Sequence, residues 1–347
     1  MSDSNGAPSR SGAHLPVIAV DAMGGDDAPA AVVAGALLAH RDGLGEIVLV
    51  GDRARLEPLL GDERGIAIVD SAGVVAMDAA VSQAVRKSEG TSLGDAVELV
   101  RDGKADAVVS AGNSGAFLAI ALIRLRTIPG IARPAIGAVL PGRGGPVVLC
   151  DAGANVDCKP EWLVQFGVMG SAYARAALGI ADPRVAVVSV GEEPGKGNAQ
   201  SIEAASLLAA APVRFIGNIE GKDILTGHAD VVVADGFVGN VILKTSEGNA
   251  KYFGDVLRES YAAAGLMGKL GGFFSRGVFA KMRVRLDYAT YGGAPLLGVR
   301  GNCVVAHGRS DRVAIRNAIR QAAALAEHDL VGSIGAAVVH DAGEPAR

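Results

Sequence analysis

The sequence predicts an α/β protein whose mostly parallel sheet is covered by helices on both faces. Short apolar runs rich in β-branched residues recur along the chain, and patterns with apolar residues at helical spacing lie between several of them. Strands of a parallel sheet are buried on both faces, so they form continuous apolar runs instead of alternating ones. No Pro/Ser-rich linker or internal repeat divides the chain, which predicts a single domain over residues 15–330.

Each predicted element follows from one of these two patterns. The predicted strands are Val17–Val20, Ile47–Val50, Ile66–Val69, Ala107–Val109, Ala135–Leu140, Val147–Leu149, Val185–Val190, Val213–Ile216 and Asp230–Val233. The predicted helices are Ala28–Ala39, Leu93–Val100, Gly115–Leu125, Glu161–Ala177, Ser201–Ala210 and Val238–Leu257. Only residues 141–146 separate two of the strands, too few for a helical crossover, so we expect an antiparallel pair there and a mixed sheet.

Composition excludes several classes of function. Half of the 347 residues are apolar, but only 4% are aromatic and the net charge is −4, which disfavours a nucleic-acid partner. The three cysteines, Cys150, Cys158 and Cys303, lack the spacing of a zinc site or a disulfide framework, so we expect reduced structural thiols. The 48 glycines have no collagen period, so we expect them at particular turns.

The terminal segments and the lengths of the apolar stretches indicate where in the cell the protein is located. Residues 1–14 are small and polar with no apolar core of a signal peptide, which predicts a disordered tail and a cytoplasmic protein. The longest apolar stretch, Ala116–Ile123, is far shorter than the roughly 20 residues of a spanning helix. Residues 331–347 lack charge patterning and a strong helix signal, so we expect a flexible tail.

Glycine-rich polar loops follow five of the predicted strands. They are residues 21–26, 110–115, 151–155, 191–198 and 235–240. Ligands of α/β sheets bind outside the carboxyl ends of strands, so we expect these loops to converge at one edge. Glycine lets the backbone approach a ligand closely, and N–H groups of loops and helix starts bind anions. The sequence therefore predicts an anion-binding site.

Familiar nucleotide and nucleophile motifs are absent. Gly191 to Gly197 is one residue short of a Walker A loop and has no hydroxyl after Lys196, and the first loop has Gly24-Gly25 in place of GxGxxG. No GxSxG elbow occurs. His307 is either a base at the predicted edge or a capping residue. These absences favour direct transfer between two bound substrates over an acyl-enzyme.

A basic apolar segment lies near residues 258–287. Ser260 to Leu286 contains five Lys or Arg and no acidic residue, and Gly271-Gly272 and Ser275-Arg276-Gly277 break it into two short predicted helices joined at a tip. This composition fits a helical hairpin on an anionic membrane surface or one packed against a second subunit. The candidate membrane contacts are Leu270, Phe273, Phe274, Phe279 and Lys281.

Seven collinear motifs together resemble one family. They are Asp-Ala-Met-Gly-Gly-Asp (21–26), Ser-Ala-Gly-Asn-Ser-Gly-Ala (110–116), Asp-Ala-Gly-Ala-Asn (151–155), Gly-Glu-Glu…Lys-Gly-Asn (191–198), Gly-Asn-Ile-Glu-Gly-Lys-Asp (217–223), Asp-Gly-Phe-Val-Gly-Asn-Val (235–241) and Tyr-Gly-Gly-Ala-Pro-Leu-Leu-Gly (291–298). In this order they resemble the bacterial acyl-ACP:phosphate acyltransferases, the PlsX family.

The resemblance implies a function and a fold. A long fatty acyl group would pass from acyl carrier protein to inorganic phosphate, and the acyl phosphate would feed phospholipid synthesis through the membrane glycerol-3-phosphate acyltransferase. The fold would be a three-layer, Rossmann-like α/β/α sandwich of the isopropylmalate dehydrogenase or phosphotransacetylase type. The protein would be a homodimer attached peripherally to the inner face of the cell membrane, and it would need no cofactor and no metal.

The resemblance also assigns candidate site residues. Lys196 and Asn240 match the catalytic lysine and asparagine of the family: Lys196 would pair with phosphate, and Asn240 would donate to the thioester oxygen as it becomes anionic. Candidate phosphate and thioester contacts are Gly24, Gly25, Asp26, Asn113, Ser114, Gly115, Asn155, Asn198 and Gly239. Asp21, Asp151, Asp235 and His307 are further candidates, although some carboxylates would instead orient the loops.

Two other interpretations stay open at this point. The aspartates of the loops suggest a metal- and nicotinamide-dependent decarboxylating dehydrogenase of similar fold, although no metal-ligand spacing or dinucleotide fingerprint supports it. The basic apolar segment suggests a membrane-associated lipid-binding protein without turnover.

Overall fold

The structure is a computed structural model that describes residues 15–279, 282 and 292–341. The N-terminal tail predicted over residues 1–14 lies outside the described residues. The described residues form one sheet of eleven strands: β1 Val17–Asp21, β2 Glu46–Gly51, β3 Ala67–Asp70, β4 Ala107–Ser110, β5 Ala135–Gly142, β6 Gly145–Cys150, β7 Arg184–Val188, β8 Arg214–Ile219, β9 Val231–Val233, β10 Ala294–Leu297 and β11 Asn302–Val305.

The sheet contains two parallel blocks that run in opposite directions. Its strand order is β3-β2-β1-β4-β11-β10-β5-β6-β9-β7-β8. The first five strands in this order are parallel to one another, and so are the last four. The junctions β11–β10, β10–β5 and β5–β6 are antiparallel. Three successive reversals therefore invert the second block relative to the first.

The helices of the described residues cover both faces of the sheet. They are α1 Ala30–Arg41, α2 Arg53–Leu60, α3 Val81–Arg86, α4 Ser92–Arg101, α5 Ser114–Leu125, α6 Pro160–Leu178, α7 Ala199–Leu208, α8 Gly236–Ala263, α9 Gly265–Phe274, α10 Arg312–Glu327 and α11 Leu330–Asp341. Short polar side chains begin many of them by accepting a backbone N–H, as Asn113, Asn198 and Asp235 do for α5, α7 and α8.

Alternate residues of each strand enter different cores, as expected for a sheet with two covered faces. Ile18 and Val20 pack with α1, α6 and α10 on one face, whereas Ala19 packs with α4 and α5 on the other. A third, smaller cluster lies under the start of α8, where Leu243 packs toward Ile219 and Val232. The α/β/α prediction is confirmed, and so is the antiparallel pair β5–β6.

Every predicted strand and helix overlaps an observed one, but the predicted set lacks helices α2, α3 and α10 and strands β10 and β11. These strands of four residues lie between the glycines of residues 292–308, so their apolar runs are too short to stand out. β11 pairs with β4 and β10 pairs with β5, at the centre of the sheet. The two missed strands thus join the two blocks.

The prediction of a flexible tail from residue 331 was wrong for residues 331–341, because they belong to helix α11. Leu330 and Ile334 are 3% and 1% exposed and belong to the main core, and Val331 and Val338 pack against it. The apolar residues at helical spacing bury one face of α11, which the lack of charge patterning in the sequence obscured. Residues 342–347 lie outside the described residues.

The tip of the molecule also differs from its prediction. Helix α8 continues to Ala263, and Gly271 and Gly272 lie inside α9 next to the ring of Tyr261, so they do not break the helix. Breaks fall at Gly265, whose φ is +61°, and at Ser275, where α9 ends, so the predicted break at residues 275–277 is confirmed. Among the described residues, no helix is both long enough and apolar enough to cross a membrane.

The predicted membrane contacts divide into three groups. Phe273 and Phe274 are 60% and 80% exposed, and Leu270 is also exposed. Phe279 instead packs edge-on against the ring of Tyr261, with ring centroids 5.3 Å apart. Lys281 lies outside the described residues. The exposed apolar surface of the tip therefore lies mainly on α9, and Val278 beyond its end is exposed as well.

Candidate active site

The five glycine-rich loops do not converge at one edge of the sheet, so that expectation was wrong. Because the two strand blocks run in opposite directions, the loops after β1 and β4 leave one end and those after β6, β7 and β9 leave the other. Three strands separate β4 from β6, which places these strands roughly 19 Å apart at about 4.8 Å per step. The candidate residues therefore form two groups within the chain.

The first group is built around the buried carboxylate of Asp21, which is 2% exposed. Ser110 donates through Oγ to its Oδ2 at 2.7 Å, and the N–H of Met23 donates to Oδ1 at 3.3 Å. Burial raises the pKa of Asp21, although these hydrogen bonds oppose the shift. A Cβ on Gly24 would stand 2.5 Å from Oδ2 and 2.8 Å from the nitrogen of Gly112, so only glycine lets these two loops touch.

The other predicted residues of the first group have observed structural partners. Asn113 accepts from the N–H of Ala116 and donates through Nδ2 to Met77 and Ala79 carbonyls at 2.9 and 3.1 Å. His307 is exposed, and its Nδ1 accepts from the N–H of Arg309 at 3.1 Å, a contact of the capping kind.

Four more predicted residues complete the first group. The N–H of Asp26 donates to the carbonyl of Gly308 at 2.8 Å, and Gly25 of the same loop has a φ of +119°. Ser114 and Gly115 begin helix α5. These contacts join the 21–26 loop to the turn after β11.

The second group is built around Asp151, whose carboxylate is fully buried. Its Oδ1 accepts from the N–H groups of Ile136, Gly153 and Ala154 at 3.0 to 3.1 Å. Its Oδ2 accepts from Ala154 at 3.1 Å and from the N–H and Nδ2 of Asn155 at 2.7 and 2.9 Å. Burial raises the pKa of Asp151 and the hydrogen bonds counter it. Asp151 thus orients the 151–155 loop, one of the two roles expected for the aspartates.

The N-terminus of α8 packs directly on this loop. The N–H of Gly236 donates to the carbonyl of Asn155 at 2.7 Å. A Cβ on Gly239 would stand 1.8 Å from the carbonyl oxygen of Asp151. Asp235 caps the helix by accepting from the N–H of Val238 at 2.8 Å. This packing places the exposed Asn240 beside the loop.

The Lys196 loop is shaped by glycines and held by two polar side chains. Gly195 and Gly197 have φ values of +84° and +126°, a conformation that other residues rarely adopt. Ser189 donates through Oγ to the carbonyl of Lys196 at 2.8 Å, and Asn218 donates to the carbonyl of Glu193 at 3.1 Å. The loop backbone is therefore fixed while the Lys196 side chain is exposed.

Ser189 and Asn218 were missed as site residues. Ser189 lies in the predicted apolar run Val185–Val190, directly after β7, where a single serine carries no signal. Asn218 lies in the 217–223 motif, which the sequence analysis quoted without assigning it a role.

A cavity of about 200 Å³ lies between the N-termini of α7 and α8. Its polar lining includes Ser189, Asn198, Ser201 and Asp235. Asn198 caps α7 by accepting from the N–H of Ser201 at 2.8 Å. Two helix N-termini bring partial positive charge to the border of this space, and the Asp235 carboxylate adds a negative charge to its lining.

Carboxylates and thiols of the described residues form no other reactive centre. Asp21 and Asp26 lie in the first group and Asp151 and Asp235 in the second, so the four aspartates do not form one acidic set. No group of three or more His, Cys, Asp or Glu that could hold a metal occurs in the described ranges. The three cysteines are free, and burial raises the pKa of each thiol, that of Cys158 to about 11.

Comparison with known proteins identifies the class of this enzyme. Residues 17–332 match the model of a family described as fatty acid synthesis protein. A phosphate acyltransferase of Myxococcus xanthus is 50% identical over 317 residues, covering 89% of this chain and 90% of that protein. One of Desulforudis audaxviator is 45% identical over 321 residues, covering 92% and 96%. The chain therefore belongs to the phosphate acyltransferase family, whose members are acyltransferases of fatty acid and phospholipid synthesis.

Solved structures support the fold alone. A phosphotransacetylase from Streptococcus pyogenes aligns with a TM-score of 0.62 at 19% identity, over 90% of this chain and 94% of that one. A EutD phosphotransacetylase from Staphylococcus aureus aligns with a TM-score of 0.61 at 18% identity, over the same shares.

Proposed function

We propose that this protein transfers a long-chain acyl group from the thioester of acyl carrier protein to inorganic phosphate. A phosphate oxygen attacks the thioester carbonyl carbon, the C–S bond breaks, and the carrier-protein thiol leaves with its electron pair. The products are acyl phosphate and holo carrier protein. Phosphate is the nucleophile, so no protein nucleophile, metal or cofactor takes part.

The observation that carries the proposal is the placement of Lys196 and Asn240. They follow β7 and β9, which are neighbours in the sheet, and the 200 Å³ cavity lies between the helices that start there. Lys196 supplies positive charge on a loop held by Ser189 and Asn218. Asn240 supplies an amide donor for the oxygen of the tetrahedral intermediate, and it sits on a helix anchored to the 151–155 loop.

The remaining predicted contact residues fall into two sets, one beside Asn240 and one at the opposite end of the sheet. Asn155, Asn198 and Gly239 belong to the same group as Asn240, and each already shapes this group through backbone contacts. Asp26, Asn113 and their neighbours leave the opposite end of the sheet of the same chain, where they hold loops together.

An assay of product formation tests the proposal. Purified full-length protein with palmitoyl-ACP and phosphate is expected to form acyl phosphate, detected as the hydroxamate, with release of the carrier-protein thiol. Lys196→Ala and Asn240→Ala should each lower kcat by roughly 100- to 1000-fold, the usual cost of losing one such group. Lys104→Ala, an exposed lysine outside the site, is the matched control and should match the wild type.

Two outcomes would contradict the proposal. The first is wild-type protein that forms no acyl phosphate and releases no thiol, the behaviour of a lipid-binding protein. The second is full activity in both the Lys196→Ala and the Asn240→Ala variant.

We also propose contacts for the tip. The exposed Leu266, Met267, Phe273 and Phe274 of α9 support binding to an anionic membrane surface or to the second subunit of a homodimer. At the cytoplasmic face of the membrane, the acyl phosphate would be available to the membrane glycerol-3-phosphate acyltransferase.

A further inference from the structure

A long apolar groove runs beside α8, separate from the small cavity at its N-terminus. Its volume is about 910 Å³, within the range of roughly 300–1,000 Å³ typical of small-molecule sites. One wall is α8 from Leu243 to Tyr261. The facing residues include Leu140 and Pro141 of the β5–β6 hairpin, Leu225, Gly272, Phe279 and Met282.

The groove follows the helical face that carries Asn240. Its lining includes α8 residues at alternating spacings of four and three, namely Leu243, Glu247, Ala250, Gly254, Leu257 and Tyr261. Asn240 precedes Leu243 by three residues and so continues the same stripe. The groove therefore begins one helical turn from the amide proposed to contact the thioester.

The centre of the groove is kept open by small residues. Ala250 and Gly254 occupy successive turns of the stripe, and a Cβ built on Gly254 meets no atom of the described residues within 4 Å. Leu257 continues the wall toward the tip, and the Tyr261 ring meets Phe279 edge-on at its end.

Two ion pairs lie along α8 beside the groove, and Lys251 is a further charged residue of its lining. Glu247 accepts from Lys244 Nζ at 2.9 Å, and Asp255 accepts from Arg258 Nη1 at 2.7 Å. The two opposite charges within each pair neutralise each other, so these residues do not attract a polar ligand into the groove. The remaining surface suits a hydrocarbon.

The length of the groove matches a long fatty acyl chain. From Leu243 to Tyr261 the helix rises by about 27 Å at roughly 1.5 Å per residue. With C–C bonds of about 1.52 Å, an extended alkyl chain advances about 1.25 Å per carbon, so sixteen carbons span about 20 Å. A chain of this length fits between Asn240 and Tyr261.

We propose that this groove binds the hydrocarbon chain of the acyl donor, with the carbonyl beside Asn240 and the methyl end toward Tyr261. The proposal rests on the proposed acyl transfer and assigns its chain-length selectivity to α8. Burial of each additional methylene is favourable, so the groove favours long donors over short ones.

The decisive variant is Gly254→Leu, which fills the groove, with Gly248→Leu as its control. Gly248 lies on the same helix and does not line the groove. A Cβ built on Gly248, like one built on Gly254, meets no atom of the described residues within 4 Å. Both changes raise helix propensity, so both variants are expected to fold. The measurement is kcat/KM for palmitoyl and hexanoyl thioesters of acyl carrier protein with phosphate.

Gly254→Leu should lower the palmitoyl-to-hexanoyl ratio of kcat/KM by at least about tenfold, since one methylene misfit already changes selectivity by roughly 10- to 200-fold. Gly248→Leu should leave the ratio unchanged. Ala250→Leu blocks the groove one turn nearer Asn240, about 6 Å at roughly 1.5 Å per residue. The longest acyl chain that Ala250→Leu accepts should therefore be about five carbons shorter than the longest one that Gly254→Leu accepts.

The proposal is overturned if Gly254→Leu and the wild type have the same ratio, or if Gly254→Leu and Gly248→Leu change it equally. It is also overturned if Gly254→Leu lowers the molar mass in sedimentation while the ratio stays constant, because the groove would then hold a second copy of the chain.

Binding of palmitate by calorimetry separates this proposal from the proposed function. Wild-type protein that binds palmitate but forms no acyl phosphate contradicts acyl transfer alone, and loss of binding in Gly254→Leu then still supports the groove. Wild-type protein that binds no palmitate and shows no chain-length preference contradicts the groove.

Discussion

The side chain of Asn240 lies against Gly153, so a Cβ built on that glycine would stand 3.6 Å from both the Cβ and the Oδ1 of Asn240. Gly153 also has a φ of +142°, a conformation that other residues rarely adopt. The loop that Asp151 holds thus presents its backbone directly to the proposed catalytic amide.

Replacing Gly153 with alanine should impair both stability and turnover. A methyl group fits in the space beside Gly153, so the cost comes from forcing alanine into a positive φ. We expect a loss of about 1–2 kcal/mol in the free energy of unfolding. Relaxation of the loop should shift Asn240 and lower kcat. Gly179→Ala is the control, because Gly179 has a φ of +68° at the C-terminal end of α6, whereas the 151–155 loop precedes the N-terminal end of that helix. Equal kcat in the two variants would contradict this role of Gly153.

Gly239→Ala should disrupt the site more severely. Its Cβ would stand 1.8 Å from the Asp151 carbonyl oxygen, so the start of α8 must move away from the loop and carry Asn240 with it. We expect kcat to fall at least about tenfold, since small misplacements of catalytic groups already cost up to 100-fold. Gly248→Ala in the same helix has open space and should be stabilised by up to about 1 kcal/mol with unchanged kcat. A fully active Gly239→Ala variant would show that α8 need not pack this closely.

Asp230→Asn should make stability less dependent on pH in the acidic range. Partial burial disfavours the charged form of Asp230, but hydrogen bonds from the Arg184 side chain and N–H, at 2.9 Å, outweigh it and lower the pKa below 3.8. A lowered pKa stabilises the fold above the unfolded value, and this contribution disappears as pH falls through the folded value.

Urea unfolding at a series of pH values measures this effect. At pH 7 the Asp230→Asn variant should be about 1–2 kcal/mol less stable than the wild type, because hydrogen bonds to charged groups contribute roughly 1.5–3 kcal/mol and the partial exposure of Arg184 reduces this. The difference should shrink below pH 4, and a constant difference down to pH 2 would contradict the assignment. Asp182→Asn is the control, because its pair with Arg214 is exposed and should contribute little.

Phe273→Asp and Phe274→Asp should release the protein from vesicles that contain anionic lipid. Both rings are exposed on α9, and a carboxylate there would be repelled by the anionic surface. Tyr252→Asp, an exposed aromatic position on α8, should leave co-sedimentation unchanged. Unchanged vesicle binding by the α9 variants together with a lower molar mass would assign this surface to the subunit interface.

Much of the fold could be predicted because its signals are local. The apolar run of β6 and the helical spacing of α6 are each contained in one short segment. Strands β10 and β11 could not be predicted, because four residues between glycines have too little pattern. Asp151 and Asn240 were both recognised as candidates, but the sequence did not show which of them faces a ligand and which orients a loop.

The sequence by itself determined the α/β class, the chemistry of the glycine-rich loops, and the identity of Lys196 and Asn240 as candidates. Only the tertiary structure decided which loops meet. The end of the sheet at which a loop emerges depends on strand direction, and three antiparallel junctions around β10 and β5 reverse that direction between β4 and β6. Strand pairing joins residues far apart in the chain, so no local pattern around Asp21 or Asp151 could reveal that they lie at opposite ends.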